Sequence, residues 1–412
     1  MSSKPKVLMI ITLDTKAVEA RYIREILEEQ GVDVIHLDTS IRAIVDPNVE
    51  IGPEMVAAAA GQTIQQVRDL RHEGKCQAVM IEGSVKCAHE ADAKQGLAGI
   101  IGVGGSMGTT LSSIVMGSFQ YGLPKVLVST MASGFTKPFV GAKDINMFNP
   151  VCDIAGLNSI TRDVFRNAAI AVAAMAKAYN PVKTEPRPLV AMSTLGTTDR
   201  CTVRVREQLT QRGFEVMVFH TLGTGGAAMD QIISERDVAA VVDLSLVEIN
   251  DFLNNGLCSA GPDRAKAALA KGVPTIFAPG NVDFMVAGPI DMAKQQFPGK
   301  RYHMHNPALT AVRADAPEFE KLAEHMGGLI KDAKGPVTFF VPLKGFSHHD
   351  STEGHLHDPS LPPVFAEAIR KALPHDVPVM EFDHHINDAA FADAIVEQVM
   401  VFTSQRHPAQ SV

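Results

Sequence analysis

Gly102-Val103-Gly104-Gly105-Ser106-Met107-Gly108-Thr109-Thr110 is the stretch whose reading decides the fold. The apolar run Leu97-Ala98-Gly99-Ile100-Ile101 leads into it, and Leu111, Ile114, Val115 and Phe119 follow at helical spacing. Strand, glycine-rich loop and helix in that order mark an α/β unit. Such a junction exposes backbone N–H groups at a helix N-terminus, where the dipole favours an anion. Ser106, Thr109 and Thr110 add hydroxyl donors, so a phosphate suits the loop. No lysine stands in a Walker frame. The third glycine of the dinucleotide fingerprint would fall at Met107, so that motif is absent too. The plainer reading of the same residues is a tight turn where helix packs closely on sheet.

Working outward, residues 7–12 read as a buried strand, and Leu13-Asp14-Thr15-Lys16 opens a helix that carries Ile23, Ile26 and Leu27 on one face. Asp14 or Thr15 is expected to cap that helix. Gly31 ends it and residues 32–37 form the next strand. A helix is expected over 57–71, a third strand at 78–81, a fourth at 100–103 and a fifth at 125–129. A small polar loop, Ser129-Thr130-Met131-Ala132-Ser133-Gly134, follows, and then a long helix over 158–179. Strands alternating with helices imply a parallel, doubly wound sheet.

Residues 180–188 hold three prolines and read as a linker, after which the pattern restarts. At a constant offset of 182 positions, Thr12-Leu13-Asp14-Thr15-Lys16 is echoed by Thr194-Leu195-Gly196-Thr197-Thr198. Arg24 pairs with Arg206, Leu27 with Leu209, Gly31 with Gly213 and Val34 with Val216. Gly122-x-Pro124 resembles Gly272-x-Pro274, and Asn149-Pro150 resembles Asn306-Pro307. The expected architecture is therefore two similar doubly wound, Rossmann-like parallel-sheet lobes from an internal repeat, at 1–183 and 184–412. The second half carries Leu222-Gly223-Thr224-Gly225-Gly226 in place of a full copy of the 102–110 loop. It continues with a strand at 337–341, a helix at 363–373, a strand at 377–382 and a helix at 389–402.

The 412 residues are 46% hydrophobic and 20% charged, with a net charge of −8 and no tryptophan. That balance argues against general nucleic-acid binding. Five scattered cysteines without a C-x-x-C fit a reduced, cytoplasmic protein. No secretory signal and no membrane span are expected.

In open α/β sheets ligands bind beyond the carboxyl ends of the strands. Three first-half loops lie there: 13–16, 102–110 and 129–134. Lys16 can neutralise a phosphate, and Asp14 can hold Mg²⁺ directly or through water. Glu82, after the expected third strand, can contact a ribose. Taken singly, each of these residues also has a structural reading as a cap or a solvated side chain. The C-terminal part is rich in histidine (His348, His349, His355, His357, His384, His385), yet no helical metal motif appears and a polar surface is the simpler reading. Lys344, Ser347 and His348 follow a strand, as do Asn281 and Asp283. A hydrolase built from Ser347, His348 and Asp350 lacks an elbow motif.

Together the 12–16, 102–109, 129–134 and 153–158 stretches, with Val341-Pro342-Leu343-Lys344-Gly345-Phe346-Ser347 and His385-Ile386-Asn387-Asp388, make this sequence similar to one family. It resembles the ATP-binding domain family typified by the N-terminal region of the tomato mosaic virus resistance protein, with many bacterial members. The resemblance covers nearly the whole chain and departs at Ala17 and Met107, where glycine is usual. It implies ATP with Mg²⁺ bound in the first lobe, by Asp14, Thr15, Lys16, Gly102, Gly104, Gly105, Ser106, Met107, Gly108, Thr109, Thr110, Thr130, Ala132 and Ser133. It also implies a homodimer and a TIM-barrel protein as partner. Two functions stand side by side at this point. One is an ATP-binding module acting through a partner protein. The other is a metabolic enzyme using ATP or a phosphorylated small molecule in a cleft between the lobes.

Overall fold

The computed structural model describes residues 4–134, 136–180 and 187–406. The chain divides into two compact units, Met1–Thr184 and Glu185–Val412. The expected linker falls largely on 181–186, outside the described residues. Each unit is an α/β lobe built on a parallel sheet.

The first lobe has β1 (Lys6–Ile10), β2 (Asp33–Leu37), β3 (Leu97–Gly104), β4 (Lys125–Ser129) and β5 (Asn146–Phe148). All pair in parallel, in the order β2-β1-β3-β4-β5. The strands are mostly apolar because helices cover both faces. Leu8, Ile10, Ile35, Ile100 and Leu127 pack to one side with Met80, Cys87 and Ala91 of the helix Glu73–Gln95. Val7, Met9, Ile101, Val103 and Val126 pack to the other with Phe165, Val172 and Ala176 of the helix Ser159–Ala178. Successive strand residues thus serve opposite cores, as the period of two demands.

The second lobe repeats this plan. Its strands are β6 (Leu189–Thr194), β7 (Glu215–His220), β8 (Ala240–Ser245), β9 (Thr275–Gly280), β10 (Phe284–Ala287), β11 (Tyr302–Asn306), β12 (Leu309–Arg313), β13 (Val337–Pro342) and β14 (Val379–Phe382). The parallel sheet runs β14-β13-β9-β8-β6-β7, so β7-β6-β8-β9-β13 reproduces the order of the first lobe. Gly31 and Gly213 end equivalent helices at φ 78° and 90°, and Gly122 and Gly272 precede the equivalent strands β4 and β9 at 87° and 74°. At these four points the left-handed conformation favours glycine. A small antiparallel sheet, β10-β12-β11, is an insertion of the second lobe.

Several expectations are corrected. Residues 78–81 are not a strand. They lie inside the 23-residue helix Glu73–Gln95, whose buried positions Cys76, Met80, Gly83, Ser84, Cys87, Ala88 and Ala91 follow helical spacing. Gly83, which looks like a stop signal, is a contact glycine: a Cβ there would overlap the backbone carbonyl of Val56. Glu82 therefore sits mid-helix, ion-paired to Lys86 at 2.6 Å, and does not follow a strand. The 102–110 loop follows the third strand of the sheet, and the short β5 completes it. The helix expected over 57–71 is two, Pro53–Ala59 and Ile64–Asp69, parted by Gly61 at φ 76°. Asn149-Pro150 and Asn306-Pro307 share local turn chemistry, each asparagine Oδ1 accepting the N–H two residues on. Their places differ, since Asn306 begins the β11–β12 hairpin turn. Among the described residues no helix is long and apolar enough to cross a membrane.

Candidate functional site

In the order β2-β1-β3-β4-β5 the winding reverses between β1 and β3, and ligands of doubly wound sheets sit at such a switch point. A cleft of about 490 Å³ lies there. Thr12, Asp14, Thr15 and Lys16 form its wall beyond β1, and Gly104, Gly105, Ser106, Met107 and Gly108 form its wall beyond β3. Thr39, Ile41 and Arg42, after β2, and Arg71, His72, Glu73 and Cys76 complete it.

Two helix N-termini meet this cleft from β1 and β3, and they differ. The helix Leu13–Glu29 is not capped by Asp14 or Thr15 as expected; its N-cap is Thr12, which makes no side-chain cap. Instead the Leu13 N–H donates to Asp38 Oδ1 at 3.0 Å and the Asp14 N–H to Ser40 Oγ at 2.9 Å. An internal carboxylate thus meets this positive end. Asp14 Oδ2 in turn accepts the N–H groups of Ile41 and Arg42, at 3.1 and 3.0 Å, and pins the loop after β2. Thr15 pairs its hydroxyl with Thr12 at 3.1 Å. Lys16 interrupts the helix at φ −138°, ψ 34°, and its Nζ donates to the carbonyl of Ile154 at 3.1 Å.

The helix Ser106–Gly117 begins differently. Gly105 is its N-cap and no side chain caps it. The Thr109 N–H to Gly105 carbonyl bond, at 2.8 Å, is the first of the helix, so the N–H groups of Ser106, Met107 and Gly108 lack an intrahelical acceptor. Gly102 and Gly104 serve packing. A Cβ on Gly102 would lie 2.6 Å from Ser112, and one on Gly104 would lie 2.6 Å from the Gly108 Cα. Gly104→Val therefore disturbs the turn itself. Gly105 has room, with only Thr130 Oγ1 near its Cβ position, at 3.9 Å. Thr109 is fully buried and bonded to Ser129 Oγ at 2.5 Å, and the Thr110 hydroxyl donates back to the Ser106 carbonyl. Neither hydroxyl points to a ligand. Met107 is half-exposed on the rim, its carbonyl held by Gln77 Nε2 at 2.8 Å. Thr130, Ala132 and Ser133 lie in a short 3-10 turn capped by Ser129. Thr130 stands beside Gly105, whereas Ala132 and Ser133 do not line the cleft.

Thr39, Ile41, Arg42, Arg71, His72, Glu73 and Cys76 are the cleft residues that the sequence reading missed. Arg71 adopts φ 47°, a left-handed conformation costly for a non-glycine residue and concentrated at functional sites. His72 caps the helix Glu73–Gln95 through Nδ1. The paired Arg71-His72 before a helix was the available signal.

The second lobe's glycine-rich stretch is closed from within. Glu248 Oε1 accepts the N–H groups of Gly223 and Gly226, at 2.8 and 3.2 Å. Arg264 holds Glu248 Oε2 at 2.9 Å and grips Asp243 with two bonds of 2.8 Å, all fully buried. Burial pushes the neighbouring Asp230 carboxyl up to about 6. An internal carboxylate thus takes the place that a phosphate would need. Asp243, inside the apolar run of β8, was the sequence signal for this network.

A second polar centre follows β9 and β13. The Ser347 hydroxyl donates to Asp283 Oδ2 at 2.7 Å, and Arg313 Nη1 donates to Asp350 Oδ1 at 2.9 Å. All four residues are fully buried. Burial and the neighbouring Asp350 carboxylate push the Asp283 carboxyl up. Asn281, at φ 64°, bonds Thr197 Oγ1. Ser347, His348 and Asp350 do not assemble into a triad, because Ser347 is engaged by Asp283 and Asp350 by Arg313. Lys344 is exposed and paired with Asp383.

Residues 5–181 match the Uncharacterised protein family (UPF0261) N-terminal domain, and residues 187–403 match its C-terminal domain. A UPF0261 protein from Clostridium tetani is 33% identical over 401 residues, covering 96% of this chain and 98% of that one. A UPF0261 protein from Brucella suis biovar 1 is 30% identical over 95% of this chain and 94% of its own. The ToMV susceptible protein tm-1(GCR26) of Solanum lycopersicum is 29% identical over 97% of this chain. The chain spans 56% of that tomato protein's length.

Proposed function

The chain belongs to the uncharacterised protein family UPF0261, and within that family we propose that its first lobe binds ATP as the magnesium complex in the β1–β3 cleft. One observation carries this reading: the uncapped N-terminus of the helix Ser106–Gly117 faces a cleft that Lys16, Arg42 and Arg71 also line. Orphaned N–H groups and a positive helix end are what a phosphate chain needs, and three cations offset Asp14 and Glu73 in the same wall. A volume of about 490 Å³ suits a small-molecule ligand. Asp14 Oδ2 is engaged by two backbone N–H groups, which leaves Oδ1 for Mg²⁺ or its water shell.

The module is read as acting through a partner protein, with dimerisation and a TIM-barrel partner as further parts of the proposal. The bacterial relatives match this chain almost end to end, whereas the tomato protein has length beyond it. One module occurring both alone and within a longer chain fits a ligand-controlled binding unit. Isothermal titration with ATP and Mg²⁺, with phosphate release assayed in the same samples, tests the reading. Saturable binding with little release is expected. No heat at millimolar ATP refutes it.

A further inference from the structure

β7 is an outer edge of the six-stranded sheet, and its counterpart in the first lobe, β2, is an outer edge of the five-stranded one. The two edges differ in what lies along them. The Asp33 N–H bonds the Pro5 carbonyl at 2.9 Å, and the Glu215 N–H bonds the Pro188 carbonyl at 3.0 Å. Alternate residues of a strand bond opposite neighbours, so 34, 36 and 38 face outward in one lobe and 216, 218 and 220 in the other.

In the first lobe the outward groups are met. The His36 N–H donates to Glu50 Oε2 at 3.1 Å, the Ile51 N–H to the His36 carbonyl at 3.0 Å, and the Asp38 N–H to the Ile51 carbonyl at 2.9 Å. Ile51 thus pairs with Leu37 in parallel, and Val34, Ile35, His36 and Leu37 are all buried. Val218 stands where His36 does, at the repeat's offset of 182 positions. Among the described residues no segment pairs with the outer edge of β7. Val216, Met217 and Phe219 are half-buried, Val218 is 37% exposed and Leu222, just beyond, 50%.

Unpaired edges are normally blunted by shortness, charge, proline or a bulge. β5 has three residues, β14 has four and carries Glu381, and β11 shifts register between Met304 and Asn306. β7 has six residues, Glu215-Val216-Met217-Val218-Phe219-His220. Its one carboxylate stands at the first position, and it has no lysine, proline or register shift. Such an edge invites another strand.

We propose that β7 is a dimer interface, at which a second copy of this chain adds its own β7 in antiparallel orientation. Dimerisation belongs to the function proposed above, and β7 gives it a face. The edge is complementary to itself about a two-fold axis through Val218. Outward residues oppose outward residues, so Val218 faces its own symmetry mate and Val216 faces His220 across the axis. Opposed outward residues exchange two N–H···O=C bonds, about six in all. Between them Met217 faces Phe219, and Glu215 falls opposite Thr221, so no like charges meet. A two-fold pairing also uses both open edges at once and closes the assembly.

Sedimentation equilibrium of the full chain is expected to give twice the 44.2 kDa of one chain. Val218→Lys sets two ammonium groups against each other across the axis. Val218→Pro removes an outward N–H that no described residue accepts. Both should run as monomers while keeping the far-UV circular dichroism of the natural chain. A natural chain that is monomeric at about 100 µM overturns this interface and the dimerisation proposed above together, and leaves the edge to a foreign strand. A natural dimer that persists unchanged in either variant overturns this interface alone. The ATP titration does not depend on either result, so the nucleotide reading stands or falls separately.

Discussion

Gly105→Asp separates the proposed ligand site from the stability of the fold, because the two should move in opposite directions. Gly105 sits at φ −74°, ψ −162°, extended backbone open to any residue, and its Cβ position is free of close contacts. An aspartate there gains the cap that the helix Ser106–Gly117 lacks. Replacing glycine by aspartate at an N-cap is worth a few tenths of a kcal/mol, and a carboxylate at a helix N-terminus adds about 0.3–1 kcal/mol. The first lobe should therefore melt roughly 2 °C higher. The same carboxylate stands where the proposed phosphate binds. Two unit charges about 5 Å apart at an effective dielectric near 20 repel by roughly 3 kcal/mol, and partial screening leaves about 2. ATP affinity should fall at least about 30-fold. Gly105→Asn is the control: it caps equally well without the charge and should lose much less affinity. Titration calorimetry and thermal unfolding of the three proteins read both quantities. Unchanged ATP affinity in Gly105→Asp would refute the anion site, and a lowered melting temperature would refute the uncapped geometry.

Two further expectations concern the second lobe. Gly226→Ala places a methyl group on Arg264 and Glu248, breaking a buried ion network. It should cost about 3 kcal/mol or more, read as a lower unfolding midpoint; a midpoint within error of the natural chain would remove Glu248 from the Gly223–Gly226 loop. Burial pushes the Asp251 carboxyl up to about 7, only partly offset by the Cys258 and Val286 N–H groups it accepts. Its folded pKa lies above the unfolded value near 4, so the stability it contributes is present at low pH and lost as pH rises through 7. Thermal unfolding should weaken by roughly 1 kcal/mol between pH 6.5 and 8, with Asp283 acting in the same direction. His349, held down to about 4, acts oppositely and loses its contribution as pH falls below 6.5. The two carboxyls outweigh the one imidazole between about pH 4 and 7, so on these three groups stability should fall as pH rises from about 5 to 8; stability rising steadily to pH 8 would contradict it.

The sequence determined the architecture because its signals are local. Apolar strands bounded by glycines with positive φ, and a repeat at one fixed offset, specify two parallel sheets without any knowledge of tertiary contacts. Local signals failed where burial had another cause. Residues 78–81 look like a strand, yet their neighbours bury one helical face. The three-residue β5 is too short to show a periodicity, and the antiparallel sheet β10-β12-β11 has no counterpart among the described residues of the first lobe. The site divides in the same way. The loops after β1 and β3 are legible, since glycine and hydroxyl residues at a strand–helix junction have few other uses. Which of their groups stay open was settled only by long-range contacts. Asp38 and Ser40, some 25 residues on, meet one helix N-terminus, while among the described residues no side chain caps the other. Ser129 takes up the Thr109 hydroxyl, and Arg42 and Arg71 arrive from separate segments. A hydrogen-bond donor is available to a ligand only if no distant residue has claimed it, and that competition is settled in three dimensions.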